Sequence, residues 1–350
     1  MQDVAGDEVV FKLARLLQTH GDHVVRGESK LCLTVSSLIY LNNRFEQIKT
    51  GQKICTDHAR SAVTYLNDFL KKVVSLKLVP GNCSGFDVLL NVSCFKNLQY
   101  LEIKKVPLGY IKGLQSLRSQ LRGLTCQRSV IALSEVFVSC GGDLTSTPFL
   151  WSELREANLS YNGIEQLDES LKILPKLEVL ILSHNSIKSS DRDEYWQFFS
   201  ELSYLNLGYN FLEEVPRVPC LPLCVNKLKT LILKNNNLQN LEGIQHFSAL
   251  ETLDVSNNCI STFEELSPMA WLEKLTSVII INEIHPSHLK CINCDNILII
   301  TVLVTYFFYL YYQIYLDGNP VCFHPDYRAF TVSCLSPLQK PDSVSKAVMP

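Results

Sequence analysis

The sequence has little charge and no excess of either sign. Charged residues make up 19% of its 350 residues, and 32 basic against 35 acidic side chains leave a formal net charge of −3. This balance produces no strong field that would attract nucleic acid or an acidic lipid surface. We therefore expect no nucleic-acid partner, and a hydrophobic fraction of 47% indicates a packed protein rather than a disordered one.

Motifs of the common enzyme classes are also missing from the sequence. It contains no Gly-x-Ser-x-Gly nucleophile elbow, no phosphate-binding loop and no His-Glu-x-x-His run. The eight histidines are scattered, and His184, next to Asn185, is typical of a surface residue rather than a catalytic base. The sequence therefore predicts a protein that is not an enzyme, with no catalytic residues, no cofactor and no small-molecule substrate.

The first residues do not have the pattern of a secretory signal. Residues 1–17 carry Asp3, Asp7 and Glu8 ahead of any apolar run, whereas a signal peptide begins with a basic segment followed by an apolar one. The chain has 13 cysteines, an odd number, and several fall at apolar positions where reduced thiols are expected. We therefore expect a cytoplasmic protein.

What the sequence does contain is a repeat. Five segments follow the pattern Leu-x-x-Leu-x-Leu-x-x-Asn with occasional apolar replacements, and they end at Asn162, Asn185, Asn210, Asn236 and Asn258. Those asparagines are 23, 25, 26 and 22 residues apart, which is the spacing of leucine-rich repeats. The apolar residues should alternate along a short strand and point into the core, while each asparagine satisfies backbone groups of the neighbouring coil. The predicted fold class is an α/β solenoid, the leucine-rich-repeat horseshoe with an N-terminal helical cap.

The apolar pattern also divides the chain into regions. Before the repeats, apolar residues recur at helical spacing, which predicts three helices that cap the exposed end of the solenoid; the alternative is a separate partner-binding helix. Near the other end the strand after Leu275 is expected to break off at Ser277, and the pattern resumes at Ile314. The predicted domains are an N-terminal helical cap at 1–74, repeats at 75–277, an apolar insertion at 278–313, the last strand and C-terminal cap at 314–335, and a disordered tail at 336–350.

Three interpretations of the insertion are open, and two of them assign it a function. Its apolar run, residues 297–314, has eighteen residues, the lower limit for a membrane span, but such a span would split one repeat across the bilayer. A second interpretation is a zinc site, although four ligands within ten residues leave little chain to close a tetrahedron. The residues concerned are His285, His288, Cys291 and Cys294.

The third interpretation, which we favour, is that the insertion is a translated intron. Codons for Val278 begin with GT, as a splice donor does, and the aromatic stretch before Gln313 can be written in pyrimidines ending in CAG, as a splice acceptor is. Removing residues 278–313 also restores the repeat register, because Asn319 then follows Asn258 at a normal spacing. This interpretation predicts no metal site and argues against a membrane span.

The concave sheet is the predicted partner-binding face. Residues on either side of the core leucines should face outward, and most of them are small or polar, including Ser160, Ser183 and Ser256. Four are apolar and lie on adjacent strands roughly 5 Å apart, so they should form an exposed patch with an aromatic centre, as at many protein-binding sites. The alternative is that a tail or another domain covers this patch. The predicted partner-binding residues are Val179, Ile181, Tyr204, Asn206, Ile232, Lys234 and Asp254.

Stretches outside the generic repeat resemble one known family. The distinctive ones are Ser139-Cys-Gly-Gly-Asp143 and Phe323-His-Pro325, and together with the repeats they resemble the N-terminal part of the liver kinase B-interacting family over most of residues 8–335. A Tyr327-Arg328 pair resembles the C-terminal cap of intracellular leucine-rich-repeat proteins. Members of the family are much longer and lack the insertion.

The resemblance implies a cytoplasmic, non-enzymatic scaffold. By resemblance, the chain would bind a serine/threonine tumour-suppressor kinase and influence the location of that kinase in the cell. The alternative function, from a different class, is a membrane-anchored leucine-rich-repeat receptor.

Overall fold

Short parallel strands recur along the chain where the leucine pattern predicts them, which confirms the leucine-rich-repeat fold. The chain forms two units, Met1–Asn185 and Ser186–Pro350. The computed structural model describes residues 2–51, 57–81, 88–143, 150–188, 199–216, 227–260, 264–275, 277–279 and 313–315.

Three helices stand at the beginning of the first unit, in the region where helices were expected. The side chains of Leu38 and Leu66, which lie on the apolar faces of the second and third helix, are completely buried. The side-chain oxygen of Thr34 caps the second helix by accepting a hydrogen bond from the backbone N–H of Ser37 at 3.2 Å. The helices are α1 (Gln2–Val25), α2 (Val35–Lys49) and α3 (Asp57–Leu70).

A strand that the sequence analysis missed lies between α1 and α2. This strand, β1 (Leu31–Thr34), pairs in parallel with β2 (Ser75–Val79), and Leu33 is aligned with Leu78. Leu33 is 4% exposed and Leu78 is fully buried, so both belong to the repeat core. The sheet therefore begins inside the region predicted as a purely helical cap. The run Leu-Cys-Leu-Thr is too short for its periodicity to be recognised in the sequence.

The sheet of the first unit continues with strands at successive repeats. Its order is β1-β2-β4-β6-β7-β8, and all neighbours are parallel. Leu101, Leu124, Ala157 and Leu180 are aligned across four of these strands and are at most 2% exposed, so they form one row of the core. The added strands are β4 (Tyr100–Lys104), β6 (Gly123–Gln127), β7 (Glu156–Asn158) and β8 (Val179–Ile181). A separate parallel pair consists of β3 (Leu90–Asn91) and β5 (Ile111–Lys112).

The connections on the outer side of the sheet are short helical turns. The long connection between β6 and β7 contains α4 (Leu133–Phe137) and a 3-10 helix at Gly141–Asp143. Other 3-10 helices of the first unit lie at Leu108–Tyr110, Leu114–Leu117 and Glu169–Ile173. In the second unit they lie at Ile244–His246 and Glu264–Trp271.

The second unit repeats the same arrangement. Its strands lie side by side in chain order and all pairs are parallel. The central residues Leu205, Leu231 and Leu253 are aligned and fully buried. The strands are β9 (Tyr204–Asn206), β10 (Thr230–Ile232), β11 (Thr252–Asp254), β12 (Ser277–Ile279) and β13 (Gln313–Tyr315).

The expected break of the strand at Ser277 is wrong. Strand β12 continues through Val278, which is aligned with Leu253, and β13 follows with Ile314 aligned with Val278. The first residues of the predicted insertion therefore extend the sheet. The β-branched run that begins at Val278 has a high strand propensity, which accounts for the difference.

Several predictions concern residues outside the described part of the chain. These are the apolar run except its last two residues, the histidine and cysteine cluster, the tail, and the cap residues Asn319, Tyr327 and Arg328. Of the helices that the structure describes, none has the length and apolar character needed to cross a membrane.

Candidate protein-binding surface

Each repeat asparagine joins two neighbouring coils of the solenoid. In the second unit, the buried Nδ2 of Asn236 donates to the carbonyl oxygens of Leu207 at 3.1 Å and Leu233 at 2.8 Å. Its Oδ1 accepts a hydrogen bond from the backbone N–H of Leu212 at 3.0 Å. One side chain thus satisfies backbone groups of two successive repeats, which is a structural role.

The other described repeat asparagines make equivalent contacts. Each accepts a hydrogen bond from a backbone N–H of the preceding repeat and donates to a carbonyl of its own repeat; they are Asn162, Asn185, Asn210 and Asn258. Asn162 is only half-buried, whereas the other three are buried. These contacts fix the path of the chain where it leaves each strand.

The residue before each asparagine has a left-handed backbone, which sequence reasoning did not anticipate. The φ angles are 58° at Tyr161, 57° at His184 and 57° at Tyr209, although non-glycine residues rarely adopt this region. The Tyr161 ring stacks on the His184 ring with centroids 4.1 Å apart. Burial lowers the pKa of His184, which favours the neutral imidazole in this stack.

Two predicted partner-binding residues of the second unit, Asn206 and Asp254, form hydrogen bonds within the turns that follow their strands. Oδ1 of Asn206 accepts a hydrogen bond from the N–H of Gly208 at 3.0 Å. Oδ1 of Asp254 accepts from the N–H of Ser256 at 3.0 Å and from its hydroxyl at 2.6 Å. These oxygens close the turn that follows each strand, so both side chains stabilise the local backbone.

The predicted outward direction of three serines is wrong. Ser160, Ser183 and Ser256 are 3%, 8% and 1% exposed. In two of them, the turn draws the hydroxyl inward: Ser160 donates to Oδ1 of Asn158 at 2.7 Å, as Ser256 does to Asp254. These three serines therefore contribute little to the concave surface.

The four apolar residues of the predicted patch are divided between the two units. Val179 and Ile181 lie on β8 in the first unit, whereas Tyr204 on β9 and Ile232 on β10 lie in the second. All four are half-buried rather than exposed, as is Lys234 beyond the end of β10. Their role in binding a partner stays a prediction.

The concave surface of the first unit carries two rows of outward residues that run across its strands. All of these residues except Lys77 line a depression of about 200 Å³. The first row is Ser75, Tyr100, Gly123, Glu156 and Val179. The second row is Lys77, Glu102, Thr125, Asn158 and Ile181. Sequence reasoning missed Tyr100, although Leu98-Gln-Tyr100-Leu101 has the same register as Leu202-Ser-Tyr204-Leu205.

At one end of these rows, one carboxylate pairs with two lysines. Glu102 contacts Nζ of Lys77 at 2.6 Å and Nζ of Lys30 at 3.1 Å. Burial alone would raise the pKa of Glu102, but the hydrogen bonds and charges of the two lysines outweigh it and lower the pKa below its usual value. The hydrogen bond and charge of Glu102 raise the pKa of Lys77 in turn. Both oxygens of this carboxylate therefore already have lysine partners within the protein.

Charged residues that precede the strands pair between successive repeats. The pairs are exposed, so each contributes little to stability, but each removes a free charge from this edge of the sheet. They are Glu153–Lys176 and Arg155–Glu178 in the first unit, and Glu201–Lys227 and Lys229–Glu251 in the second.

The described cysteines are free thiols, and three of them are held in the neutral form. Burial raises the pKa of Cys126 and Cys94 to about 12, and that of Cys140 to about 11. Because the thiolate is the reactive form, these side chains are poor nucleophiles and poor metal ligands. Within the described ranges, no group of three His, Cys, Asp or Glu side chains could hold a metal ion.

Comparison with known proteins identifies the relatives of this chain. The family described as LKB1 serine/threonine kinase interacting protein 1 matches residues 4–81, and a leucine-rich-repeat family matches residues 226–268. The chain is 34% identical to the serine/threonine-protein kinase 11-interacting protein of Gallus gallus over 96% of its length, and 34% identical to that of Homo sapiens over 95%. This chain is a relative of the serine/threonine-protein kinase 11-interacting proteins. The resemblance found in the sequence is thereby confirmed.

The relatives are much longer than this chain. It spans 28% of the length of both the Gallus gallus and the Homo sapiens serine/threonine-protein kinase 11-interacting protein. Among solved structures, a leucine-rich-repeat protein of Leptospira interrogans is similar with a TM-score of 0.50 and 20% identity, covering 77% of this chain and 62% of that one. This second similarity supports the fold alone.

Proposed function

We propose that this chain is a non-enzymatic scaffold that binds a serine/threonine kinase and influences where that kinase resides in the cell. The observation that carries the proposal is the 34% identity, over 95–96% of the chain, to proteins named for their interaction with serine/threonine-protein kinase 11. The repeat fold supports it, because stacked repeats present an extended concave surface suited to a protein partner.

The concave sheet is the proposed binding face. In the second unit, Tyr204 and Ile232 lie on the neighbouring strands β9 and β10 with part of each side chain open to solvent. Tyrosine offers a large apolar area and a polar tip at a low cost in conformational entropy, and it is enriched among the residues that contribute most to protein interfaces. Contact with a partner would bury the remaining apolar surface of both side chains.

Binding of purified serine/threonine-protein kinase 11 to this chain, measured by isothermal titration calorimetry, tests the proposal. We expect the double variant Tyr204→Ala, Ile232→Ser to bind at least tenfold more weakly with an unchanged far-UV spectrum. Trp271→Ala is the matched control, because Trp271 is a 76% exposed aromatic residue on a 3-10 helix rather than on the sheet. No binding by the unmodified chain would refute the kinase as partner. Unchanged affinity of the double variant would place the site elsewhere.

We also propose that the chain acts in the cytoplasm. The free thiols of Cys126 and Cys140, which are buried in the core, support a reducing compartment. Fractionation of cells that express the chain should recover it with soluble cytoplasmic markers. Recovery in membranes that resist carbonate extraction would instead favour the membrane-anchored alternative.

A further inference from the structure

Several polar groups in the two rows of the first unit are already engaged. Both oxygens of the Glu102 carboxylate bind lysines, and Oδ1 of Asn158 accepts hydrogen bonds from the N–H of Ser160 at 3.0 Å and from its hydroxyl at 2.7 Å. These groups line the depression and are held in place by contacts within the protein. A partner would have to displace existing contacts to use them.

Glu156 differs from these groups. It is exposed on β7, and its neighbours in the first row are Gly123 on one side and Val179 on the other, neither of which can pair with a charge. Among the residues that the structure describes, none forms an ion pair or a hydrogen bond with its carboxylate. A charged group that faces an uncharged row is available to an external cation.

Tyr100 extends the same row with an aromatic surface. A Cβ atom at Gly123 would lie 2.7 Å from Cδ1 of Tyr100, so the ring lies directly over the glycine backbone of the next strand. Tyr100 remains 41% exposed. The ring therefore reaches from β4 across β6, toward the strand that carries Glu156, and only glycine at position 123 allows this.

An apolar surface completes the row on the opposite side. Val179 and Ile181 are half-buried on β8, the strand next to Glu156. Neighbouring strands are roughly 5 Å apart, and side chains two residues apart in an extended segment are separated by roughly 7 Å. One extended segment can therefore reach both the carboxylate and the apolar pair.

We propose that this depression receives an arginine or lysine of a protein partner between Tyr100 and Glu156, while an apolar side chain of the same segment packs against Val179 and Ile181. This inference rests on the proposed function, because it specifies the chemistry of the partner. The carboxylate supplies a charge-assisted hydrogen bond and the ring supplies a cation–π contact. A nucleic acid or phospholipid is disfavoured, because its phosphate would face Glu156.

Charge reversal at Glu156 tests the inference with the same kinase. Glu156→Lys and Glu156→Gln should each weaken binding of purified serine/threonine-protein kinase 11 at least tenfold, and Tyr100→Ala should weaken it severalfold. The control is Glu165→Lys, which makes the same change of charge at an exposed carboxylate outside the two rows. We expect the control to bind within twofold of the unmodified chain. Far-UV spectra and melting temperatures verify that each variant is folded.

Raising the salt concentration adds a second measurement. The affinity of the unmodified chain should fall more steeply with salt than that of Glu156→Gln, because one ion pair is screened in the first and missing in the second. If the variants at Glu156 and Tyr100 bind the kinase as tightly as the Glu165→Lys control does, the inference is overturned and the proposed function stands.

A peptide experiment decides the inference even if the kinase does not bind. The probes are a glycine- and serine-rich peptide with an arginine and a leucine two residues apart, and the same peptide with glutamate in place of arginine. The basic peptide should shift the backbone amide resonances of Gly123, Glu156 and Val179, and the acidic peptide should not. Equal shifts with both peptides, or no shift with the basic one, would overturn the inference.

Discussion

Replacing Asn236 by alanine tests the asparagine ladder most directly. The substitution removes four hydrogen bonds, one of them a long contact of 3.4 Å to the carbonyl of Lys234, which also accepts from the N–H of Tyr209 at 2.7 Å. It does not affect the four backbone groups equally. The carbonyl of Leu207 still accepts from Asn210 at 2.9 Å, and that of Leu233 still accepts from Asn258 at 3.1 Å. The N–H of Leu212, which binds Oδ1 of Asn236 at 3.0 Å, loses its side-chain acceptor in a buried position.

The expected loss of stability follows from these unequal effects on the backbone groups. A buried N–H left without an acceptor costs about 1–3 kcal/mol, and each carbonyl that loses one of two donors adds about 0.5 kcal/mol. Release of the ordered asparagine side chain returns up to about 1 kcal/mol of conformational entropy. We therefore expect Asn236→Ala to lower the free energy of unfolding by about 2–3 kcal/mol.

Urea unfolding followed by far-UV circular dichroism measures this difference. The control is Asn237→Ala, because Asn237 is the next residue, is exposed and has the same chemistry. Its effect should stay within about 0.5 kcal/mol, as for most surface substitutions. Equal unfolding midpoints for the two variants would refute the structural role that we assign to Asn236.

The variant Asn236→Asp tests the same geometry through the direction in which stability changes with pH. Asn236→Asp keeps an acceptor for the N–H of Leu212 but turns a carboxylate oxygen toward the carbonyls of Leu207 and Leu233. These carbonyls and the burial disfavour the charged form and raise the pKa of the new carboxyl in the folded state. Stability should therefore be greater below the unfolded-state pKa of about 3.9 and decline as the pH rises toward neutrality. A loss of stability that does not depend on pH would contradict this geometry.

Three further predictions concern the core, the pH dependence and the chain between the last strands. Leu205→Ala should lower the free energy of unfolding by about 2–5 kcal/mol in urea titrations, because Leu205 is fully buried and the substitution leaves a cavity. Glu102→Gln should cost about 1 kcal/mol at pH 7. Because the pKa of Glu102 is lowered in the folded state, this difference should persist above the unfolded-state pKa and disappear as the pH falls through the folded-state pKa in thermal melts. Deleting residues 278–313 joins Ser277 to Ile314 in register and should raise the melting temperature; a lower melting temperature would count against this expectation. Amplification of the transcript should yield a product lacking this segment, and the lack of a shorter product would count against the intron interpretation.

The local repeat pattern determined the main features of the fold. Leu180, Leu205 and the repeat asparagines could be placed from the sequence because one repeat contains its own strand and its own turn, and contacts mainly the repeats before and after it. The spacing of leucines and asparagines therefore specifies which residues enter the core. It also indicates where the chain leaves each strand.

Features that depend on partners distant in the sequence were decided by the tertiary structure. Strand β1 forms because Leu31 and Leu33 align with β2, which lies beyond two helices, and no pattern within β1 shows this. The Tyr100 ring can lie over the next strand only because Gly123, in a different repeat, has no side chain.

Exposure on the concave face has the same origin. Whether an outward residue such as Val179 or Glu156 is covered or open depends on the neighbours that adjacent strands place beside it. The sequence of one repeat specifies the backbone, but the side chains of several repeats together determine the surface that a partner meets.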